Sequence, residues 1–207
     1  MQPKQPRLVG LTGSIGMGKT ETARLFARLG IPVHDADTAV HRLYEPGGGA
    51  VAAIAQAFPD CVTEGRVDRA RLSARLQKDR SALSRLEGIV HPFVTAEQRA
   101  FIGEAAAAGA DMVVLDVPLL FETGGEKDVD AVVVVSAPET VQRARVLARP
   151  GMSEEALDHI LARQYPDVDK RARAHFVVET DKGIDHAFEQ VKSIVAALRR
   201  RAKGKHA

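Results

Sequence analysis

The glycine-rich segment GSIGMGKT, residues 13–20, constrains the fold more than any other part of this sequence. It matches the pattern G-x4-G-K-[ST], and it lies between an apolar run at residues 8–11 and a helical pattern that begins near Thr20. Glycines let such a loop wrap a polyphosphate with its N–H groups pointing inward, and the positive end of the following helix adds to the attraction. The pattern therefore predicts a phosphate-binding loop, with a glycine-rich turn that binds nothing as the alternative.

The residue types inside the loop suggest individual roles. The ammonium of Lys19 would contact the β and γ phosphates of a nucleotide, and the hydroxyl of Thr20 would ligate Mg²⁺. The predicted nucleotide-binding residues are Gly13, Ser14, Ile15, Gly16, Met17, Gly18, Lys19, Thr20 and Glu21.

Short β-type runs recur along the chain, and each is followed by helical material. The interior runs are nearly continuous in Val, Leu and Ile without polar alternation, which is typical of strands buried on both faces of a parallel sheet. The runs occupy residues 8–11, 32–34, 112–115, 131–135 and 176–178. We therefore predict an α/β fold with a five-stranded parallel sheet sandwiched by helices.

Two helical stretches interrupt this alternation. Residues 38–108 contain no convincing strand and show helical patterns at residues 50–58, 69–78, 82–90 and 92–108, and residues 138–174 are helical with breaks at Pro150-Gly151 and Pro166. Insertions at the carboxyl ends of parallel strands lie where such sheets bind ligands. We predict a core of residues 1–37 and 109–207, a helical substrate-binding insertion of residues 38–108, and a mobile helical lid at about residues 145–175.

A final amphipathic helix is expected at residues 184–201, with one apolar face formed by Phe188, Val191, Val195 and Leu198.

Composition limits the classes of function. With 29 basic and 27 acidic residues the formal charge is +2, so charge predicts no nucleic-acid partner. The basic tail, residues 199–206, is expected to be a solvated helix end, with binding to nucleic acid or a membrane surface as the alternative. Cys61 is the only cysteine, and no apolar window reaches the length of a signal peptide or a membrane helix. We expect a cytoplasmic protein, a monomer or weak homo-oligomer, that acts on small molecules.

Two carboxylates follow the second predicted strand, at Asp35 and Asp37. Strand ends converge on one edge of a doubly wound sheet, so a carboxylate at this point is expected beside the phosphate loop. One of the two is predicted to orient and deprotonate an attacking hydroxyl. The alternative for Asp37 is that it caps the helix that begins at Thr38.

The second part of the predicted core, residues 109–207, contains further charged residues that are candidates for the site. Asp116 closes the third strand and would hold Mg²⁺ through water, or would cap the turn before Pro118. Arg145 and Arg149 lie four residues apart on a predicted helix, hence on one face, where each could neutralise charge on a transferred phosphoryl group. Arg163 is a third candidate of this kind. Ordinary solvated arginines are the alternative.

Absent motifs narrow the class of nucleotide-binding protein. The sequence has no N-K-x-D guanine-reading motif, no D-x-x-G after the third predicted strand, and no adjacent Asp-Glu pair at a strand end. A GTPase or a motor ATPase is therefore less favoured than a small kinase.

Together these residues resemble one family closely, the dephospho-CoA kinases, and the resemblance runs from Val9 to about Val195. The matching pieces are residues 11–20, Asp35-Ala36-Asp37, His91-Pro92, Pro118-Leu119-Leu120-Phe121-Glu122, and Pro138-Glu139-Thr140 followed by Arg145, Arg149 and Gln164. The resemblance implies ATP-dependent phosphorylation of the ribose 3′-hydroxyl of dephospho-CoA, with ATP and Mg²⁺ as cofactors. It also implies a P-loop kinase core with a coenzyme-binding insertion and a lid, Asp37 as catalytic base, and Arg145 and Arg149 as lid arginines. His91 is expected to open a helix with Pro92 in its first turn, either as a cap or in contact with substrate.

Some positions depart from the family's usual pattern. Ser14, Met17 and Thr20 stand where members often have Gly, Ser and Ser, but Thr20 keeps the hydroxyl. Ala174-His175 and Thr180 replace a common Ala-Asp and Asn near the last strand, which weakens any prediction of adenine contacts there. Two other functions remain open: a P-loop kinase of another small metabolite or nucleotide, and a nucleotide-gated protein that binds nucleic acid through the basic tail.

Overall fold

The computed structural model describes residues 5–203. Within them the chain forms two compact units, one of residues 5–34 and 105–203 and the other of Asp35–Glu104. Lys205 and His206 of the predicted basic tail lie outside the described residues.

A five-stranded sheet forms the centre of the first unit. Its strands occur in the order β2, β5, β1, β6 and β7, with ranges Arg7–Thr12 (β1), Val33–Asp35 (β2), Met112–Asp116 (β5), Ala131–Ser136 (β6) and Phe176–Glu179 (β7). The central strand β1 pairs in parallel with β5, where Leu11 is opposite Asp116, and with β6, where Leu11 is opposite Val133. β6 pairs in parallel with β7. The prediction of an α/β fold with a five-stranded parallel sheet is confirmed, and the carboxyl ends of β1, β5, β6 and β7 lie at one edge.

Helices cover the sheet. In and around this unit they are α1 (Lys19–Arg28), α6 (Glu139–Leu147), α7 (Glu154–Leu161), α8 (Asp167–Arg173) and α9 (Ile184–Lys203), and those of the second unit are α2 (Ala36–Tyr44), α3 (Val51–Ala57), α4 (Arg69–Lys78) and α5 (Arg80–Ala107). Every residue of β5 and β6 is buried, as the continuous apolar runs predict. Among the residues that the structure describes, no helix combines the length and the apolar character that crossing a membrane would require.

The terminal helix packs as its apolar periodicity predicts. Val191, Val195 and Leu198 are buried against the sheet, and the half-buried Phe188 packs against the same core. Each fully buried aliphatic side chain of this size contributes about 1.5–3 kcal/mol. Arg199 adds a two-point contact to Asp111, just before β5, with Nε to Oδ2 at 2.6 Å and Nη2 to Oδ1 at 3.2 Å. The hydrogen bonds from this guanidinium hold the pKa of Asp111 below its usual value.

A short hairpin lies in the second unit, where the sequence predicted no strand. β3 (Val62–Thr63) pairs in antiparallel with β4 (Arg66–Val67) across Glu64 and Gly65, both of which have positive φ angles of 52° and 73°. Two central residues with positive φ form the turn that suits a tight hairpin. Strands of two residues are too short to show an alternation of apolar and polar residues. In the sequence, only the Glu64-Gly65 pair could have indicated this hairpin turn.

The long helix α5 also differs from the prediction. It continues through Pro92, so the expected helix break near this residue is wrong, and His91 lies exposed inside a helix and does not open one. A proline inside a helix costs roughly 3 kcal/mol because it removes a hydrogen bond and crowds the preceding turn. Buried Leu86 and Val90 before it, and Phe93 after it, pack into one hydrophobic core together with Ile54, Phe58 and Leu72. Packing on both sides of the proline outweighs the local penalty.

Candidate active site

The glycine-rich loop connects β1 to α1 and has the backbone that its glycines predict. Gly18 precedes α1 with φ 94° and ψ 19°, a left-handed conformation that favours glycine. A Cβ atom on Gly13 would lie 2.6 Å from the carbonyl oxygen of Val135 on β6, which is closer than such atoms can approach. Glycine is therefore required at these two positions for different reasons, one conformational and one steric.

Two predicted site residues meet at this loop. Lys19, the first residue of α1, places Nζ 2.5 Å from Oδ1 of Asp116, the last residue of β5. The side chains are 17% and 5% exposed, so the pair is largely shielded from water. The register of β1 against β5, with Leu11 opposite Asp116, places Asp116 beside the end of β1, from which the loop leads to Lys19. Thr20 follows Lys19 in the first turn of α1 and is exposed.

The guanidinium of Arg145 donates hydrogen bonds to the phosphate loop and to Thr180. Its Nη1 donates to Oγ1 of Thr180 at 2.9 Å and to the Gly16 carbonyl at 3.4 Å, and its Nη2 donates to the Thr180 carbonyl at 2.7 Å. The Thr180 hydroxyl donates in turn to the carbonyl of Met17 at 2.7 Å. Arg145 and Thr180 thus support the phosphate loop from the end of β7. No signal in the sequence paired these two residues.

Arg149 lies outside the helix that carries Arg145, so the prediction that one helix contains both arginines is wrong. Helix α6 ends at Leu147, and Arg149 lies exposed in the turn that follows. Pro150 accounts for the early end, because the residue before a proline is sterically disfavoured in the helical region. Arg163 lies just after α7 and is also exposed.

Two glutamines hold the loop at Ile15. Oε1 of Gln164 accepts from the Ile15 N–H at 3.2 Å, and Nε2 of Gln142 donates to the Ile15 carbonyl at 2.7 Å. Gln142 is 4% exposed, on α6, and Gln164 follows α7. Gln164 appeared in the sequence as part of a family pattern without a role, whereas Gln142 carried no signal.

A buried ion pair lies between the segment after β5 and helix α8. Nζ of Lys170, whose side chain is fully buried, is 2.9 Å from Oε1 of Glu122. The same carboxylate accepts the Tyr165 N–H at 2.8 Å. Burial by itself would raise the pKa of Glu122, but the Lys170 ammonium and the Tyr165 amide together hold that pKa below its usual value. Glu122 is therefore a carboxylate at neutral pH.

The aspartates after β2 have separate local roles in the second unit. Asp35 caps helix α2, accepting the Thr38 N–H at 3.0 Å and the Thr38 hydroxyl at 2.9 Å. Asp37 lies in the first turn of α2 and is exposed. The alternative in which Asp37 caps this helix is wrong, because the helix begins two residues earlier than expected and Asp35 occupies the capping position.

A cavity of about 870 Å³ opens beside the loop in the first unit. Ser14 and Met17 of the loop line it together with Gln142, Gln164, Arg171 and Glu179. Ligand pockets for molecules of drug or cofactor size are typically about 300–1,000 Å³, so this cavity could hold part of a nucleotide.

A parallel α/β sheet, a phosphate loop between β1 and α1, and an ion pair between Lys19 at the start of α1 and Asp116 at the end of β5 define a P-loop nucleotide-binding protein. The sequence model of one family, dephospho-CoA kinase, matches residues 7–186. The chain therefore belongs to the dephospho-CoA kinase family.

Individual relatives agree with this membership. The chain is 55% identical to a dephospho-CoA kinase of Rhodopseudomonas palustris over 92% of its own length and 95% of that protein. The crystal structure of TT1252 from Thermus thermophilus superposes with a TM-score of 0.81 at 35% identity, covering 94% of this chain and 98% of that one. The structure of dephospho-CoA kinase from Campylobacter jejuni shows the same fold, with a TM-score of 0.65 at 18% identity over 94% of this chain and 98% of that one.

Proposed function

We propose that this kinase transfers the γ-phosphoryl group of ATP to the ribose 3′-hydroxyl of dephospho-CoA, giving coenzyme A and ADP. The family match over residues 7–186 is the observation that carries the choice of acceptor. The phosphate loop and the Lys19–Asp116 pair support the choice of a phosphoryl donor.

The loop supplies most of the groups that would hold the donor. Backbone N–H groups of residues 13–21, other than those of Ile15 and Met17, which already donate to Gln164 and Ser14, would bind the phosphates together with the positive end of α1. Lys19 would contact the β and γ phosphates. Because Lys19 is already paired with Asp116, donor binding requires that its ammonium exchange a carboxylate partner for phosphate oxygens.

Residues at the same place fit a magnesium ion. Asp116 offers a largely buried carboxylate and Thr20 an exposed hydroxyl, and both are oxygen donors of the kind that Mg²⁺ prefers. Bound Mg²⁺ would neutralise charge on the β and γ phosphates. The ion would bind the Asp116 carboxylate next to the phosphates that Lys19 contacts.

Three further residues would act on the transferred group. Asp37 would accept the proton of the 3′-hydroxyl, since its exposed carboxylate is not committed to capping α2. Arg149 would neutralise phosphoryl charge when the lid at residues 145–175 closes. Arg145 would contribute positive charge from a guanidinium held by Thr180. The insertion, residues 38–108, would bind the coenzyme portion of the acceptor.

We also propose a cytoplasmic enzyme, monomeric or weakly oligomeric, that does not act on nucleic acid. The near balance of 29 basic and 27 acidic residues supports this proposal. Salt-dependent retention of DNA or RNA that is lost on truncation after Leu198 would contradict it.

An acceptor panel tests the reaction. We expect ADP release to be fastest with dephospho-CoA when shikimate, gluconate, AMP and UMP are offered in parallel at equal concentrations. The reason is that the coenzyme-binding insertion would supply contacts that the smaller acceptors cannot make. A clear preference for another acceptor would instead support a kinase of a different metabolite or nucleotide.

Replacing Asp116 by asparagine should have opposite effects on the affinity for ATP alone and on the extra affinity that Mg²⁺ confers. Asp116→Asn removes the charge that holds Lys19, so ATP binding without Mg²⁺ is expected to strengthen by roughly threefold to tenfold. The extra affinity that Mg²⁺ confers should be largely lost, because a neutral amide is a poor ligand for this ion. Calorimetric titrations with and without Mg²⁺ measure both effects.

The matched control is Asp128→Asn, which neutralises an exposed carboxylate in the turn before β6. It should leave both titrations unchanged. An Asp116→Asn variant with an undiminished response to Mg²⁺ would remove Asp116 from the metal site.

A further inference from the structure

Glu122 ends the Pro118–Glu122 motif, and none of the roles described above uses it. Its carboxylate is 13% exposed and holds two groups of one segment, the Lys170 ammonium at 2.9 Å and the Tyr165 N–H at 2.8 Å. An isolated buried ammonium is strongly unfavourable, so the fully buried Lys170 depends on this carboxylate. Glu122 therefore fastens the segment 165–170 at both of its ends.

Neighbouring contacts join the same two parts of the chain. Arg173, the last residue of α8, pairs with Glu126 at 2.5 Å, and its guanidinium lies 4.5 Å from the ring centre of Phe121 and 5.4 Å from that of Tyr165. Cation–π contacts of this kind stabilise an arrangement by a modest amount each. The connection after β5 thus holds the end of the lid segment through ionic, hydrogen-bonding and aromatic contacts.

The segment held by Glu122 begins next to a contact with the phosphate loop. Gln164 directly precedes Tyr165, and its side chain accepts the N–H of Ile15 at 3.2 Å. Fixing the backbone of Tyr165 fixes where the side chain of Gln164 can reach. Gln142 holds the carbonyl of the same Ile15 at 2.7 Å, so one loop residue is held at both of its backbone polar groups.

We propose that Glu122 is a positioning residue: paired with Lys170, it sets Gln164 against Ile15 and so holds the phosphate loop in the shape that binds ATP. Glu122 acts through the Tyr165 backbone and Gln164, without contacting a substrate. The proposal rests on the proposed binding of ATP by residues 13–21, but it does not depend on which acceptor is used.

Single variants give the first test. Glu122→Gln keeps an oxygen that can accept from Tyr165 but removes the charge that pairs with Lys170, and Gln164→Leu removes the acceptor for Ile15 at similar volume. Each is expected to raise the Kd for ATP with Mg²⁺ by about threefold to tenfold, the range for loss of one hydrogen bond. The KM for dephospho-CoA should change by less than about twofold. Glu189→Gln, which breaks an exposed pair with Lys192 on α9, is the matched control and should change neither constant.

The double variant distinguishes positioning from general stabilisation. If Glu122 acts through Gln164, Glu122→Gln combined with Gln164→Leu should raise the Kd for ATP no more than the stronger single variant does. Multiplied effects on this Kd would mean that the two residues act independently and would overturn the proposal. Equal increases in the Kd for ATP and in the KM for the acceptor would also overturn it, because they would indicate a general loss of structure.

A double variant at Glu122 and Lys170 controls for a loss of folding in Glu122→Gln. If Glu122→Gln does not fold because Lys170 is left buried without its partner charge, the same titrations are made with Glu122→Met combined with Lys170→Met, which leaves no unpaired charge and also removes the acceptor for the Tyr165 N–H. An ATP affinity equal to that of the wild type in this folded variant would overturn the proposal. Calorimetry with ATP needs no acceptor, so absence of phosphoryl transfer to dephospho-CoA would count against the proposed reaction and not against this inference.

Discussion

Replacing Asp37 by asparagine should lower kcat with ATP and dephospho-CoA by about 10²- to 10⁴-fold, the usual contribution of a general base. Asparagine keeps the size of the side chain and its hydrogen-bonding capacity, but it cannot take the proton of the 3′-hydroxyl. Asp37 is exposed and does not cap α2, so its replacement should cost little folding stability. The Kd for ATP should change by less than about threefold, since the phosphates are held by the loop.

Asp35 supplies a control two residues away. Its carboxylate caps α2 through the N–H of Thr38, and asparagine caps helices about as well as aspartate does. Asp35→Asn is therefore expected to lower kcat far less than Asp37→Asn. Steady-state rates for both variants, with ATP affinity measured separately, decide the assignment. A larger loss in the Asp35 variant would transfer the role of base to Asp35, and unchanged turnover in the Asp37 variant would exclude Asp37.

Lys19→Met should lower kcat/KM by about 10³-fold or more, because the ammonium is expected to stabilise charge on the β and γ phosphates in the transition state. Methionine retains most of the length of the lysine side chain and removes the charge. The Kd for ATP should also rise, since ground-state contacts to the phosphates are lost. Single-turnover rates and calorimetric titration measure the two effects separately.

The Lys19 variant also removes the ammonium next to the buried carboxylate of Asp116. Thermal unfolding should accompany the kinetics, so that a loss of fold is not mistaken for a loss of chemistry. Lys127→Met, in the exposed turn before β6, controls for removal of a lysine and should leave the kinetics unchanged. Retention of wild-type kcat/KM in Lys19→Met would be incompatible with the proposed phosphate loop.

Local sequence patterns were sufficient for the sheet and the loop. β5 and β6 are continuous apolar runs, and burial on both faces of a parallel sheet leaves few other structures open to them. The glycine-rich loop could be read in the same way, because Gly13 and Gly18 meet steric and conformational requirements that other residues fail.

Local patterns failed where packing opposed them. Pro92 predicts a helix boundary from its own chemistry, but α5 continues because side chains before and after it are buried in one core. The strands of the hairpin β3–β4 are too short to show a periodic pattern of apolar residues. They form a sheet because they pair with each other, and their composition does not predict this pairing. The position of Arg149 was misjudged for a local reason that was visible, the proline that follows it.

The sequence by itself determined that this chain is a P-loop α/β kinase, because the loop motif, the buried runs and the resemblance to one family all lie in short segments that can be read in order. Only the tertiary structure decided which side chains meet. Lys19 and Asp116 are 97 residues apart and Arg145 and Thr180 are 35 apart. The pairing of β1 with β5 brings Asp116 to the phosphate loop, and the pairing of β6 with β7 brings Thr180, which follows β7, to the same edge of the sheet. Hydrogen bonds and ion pairs act over a few ångströms in space, so separation along the chain carries no information about them until the sheet has formed.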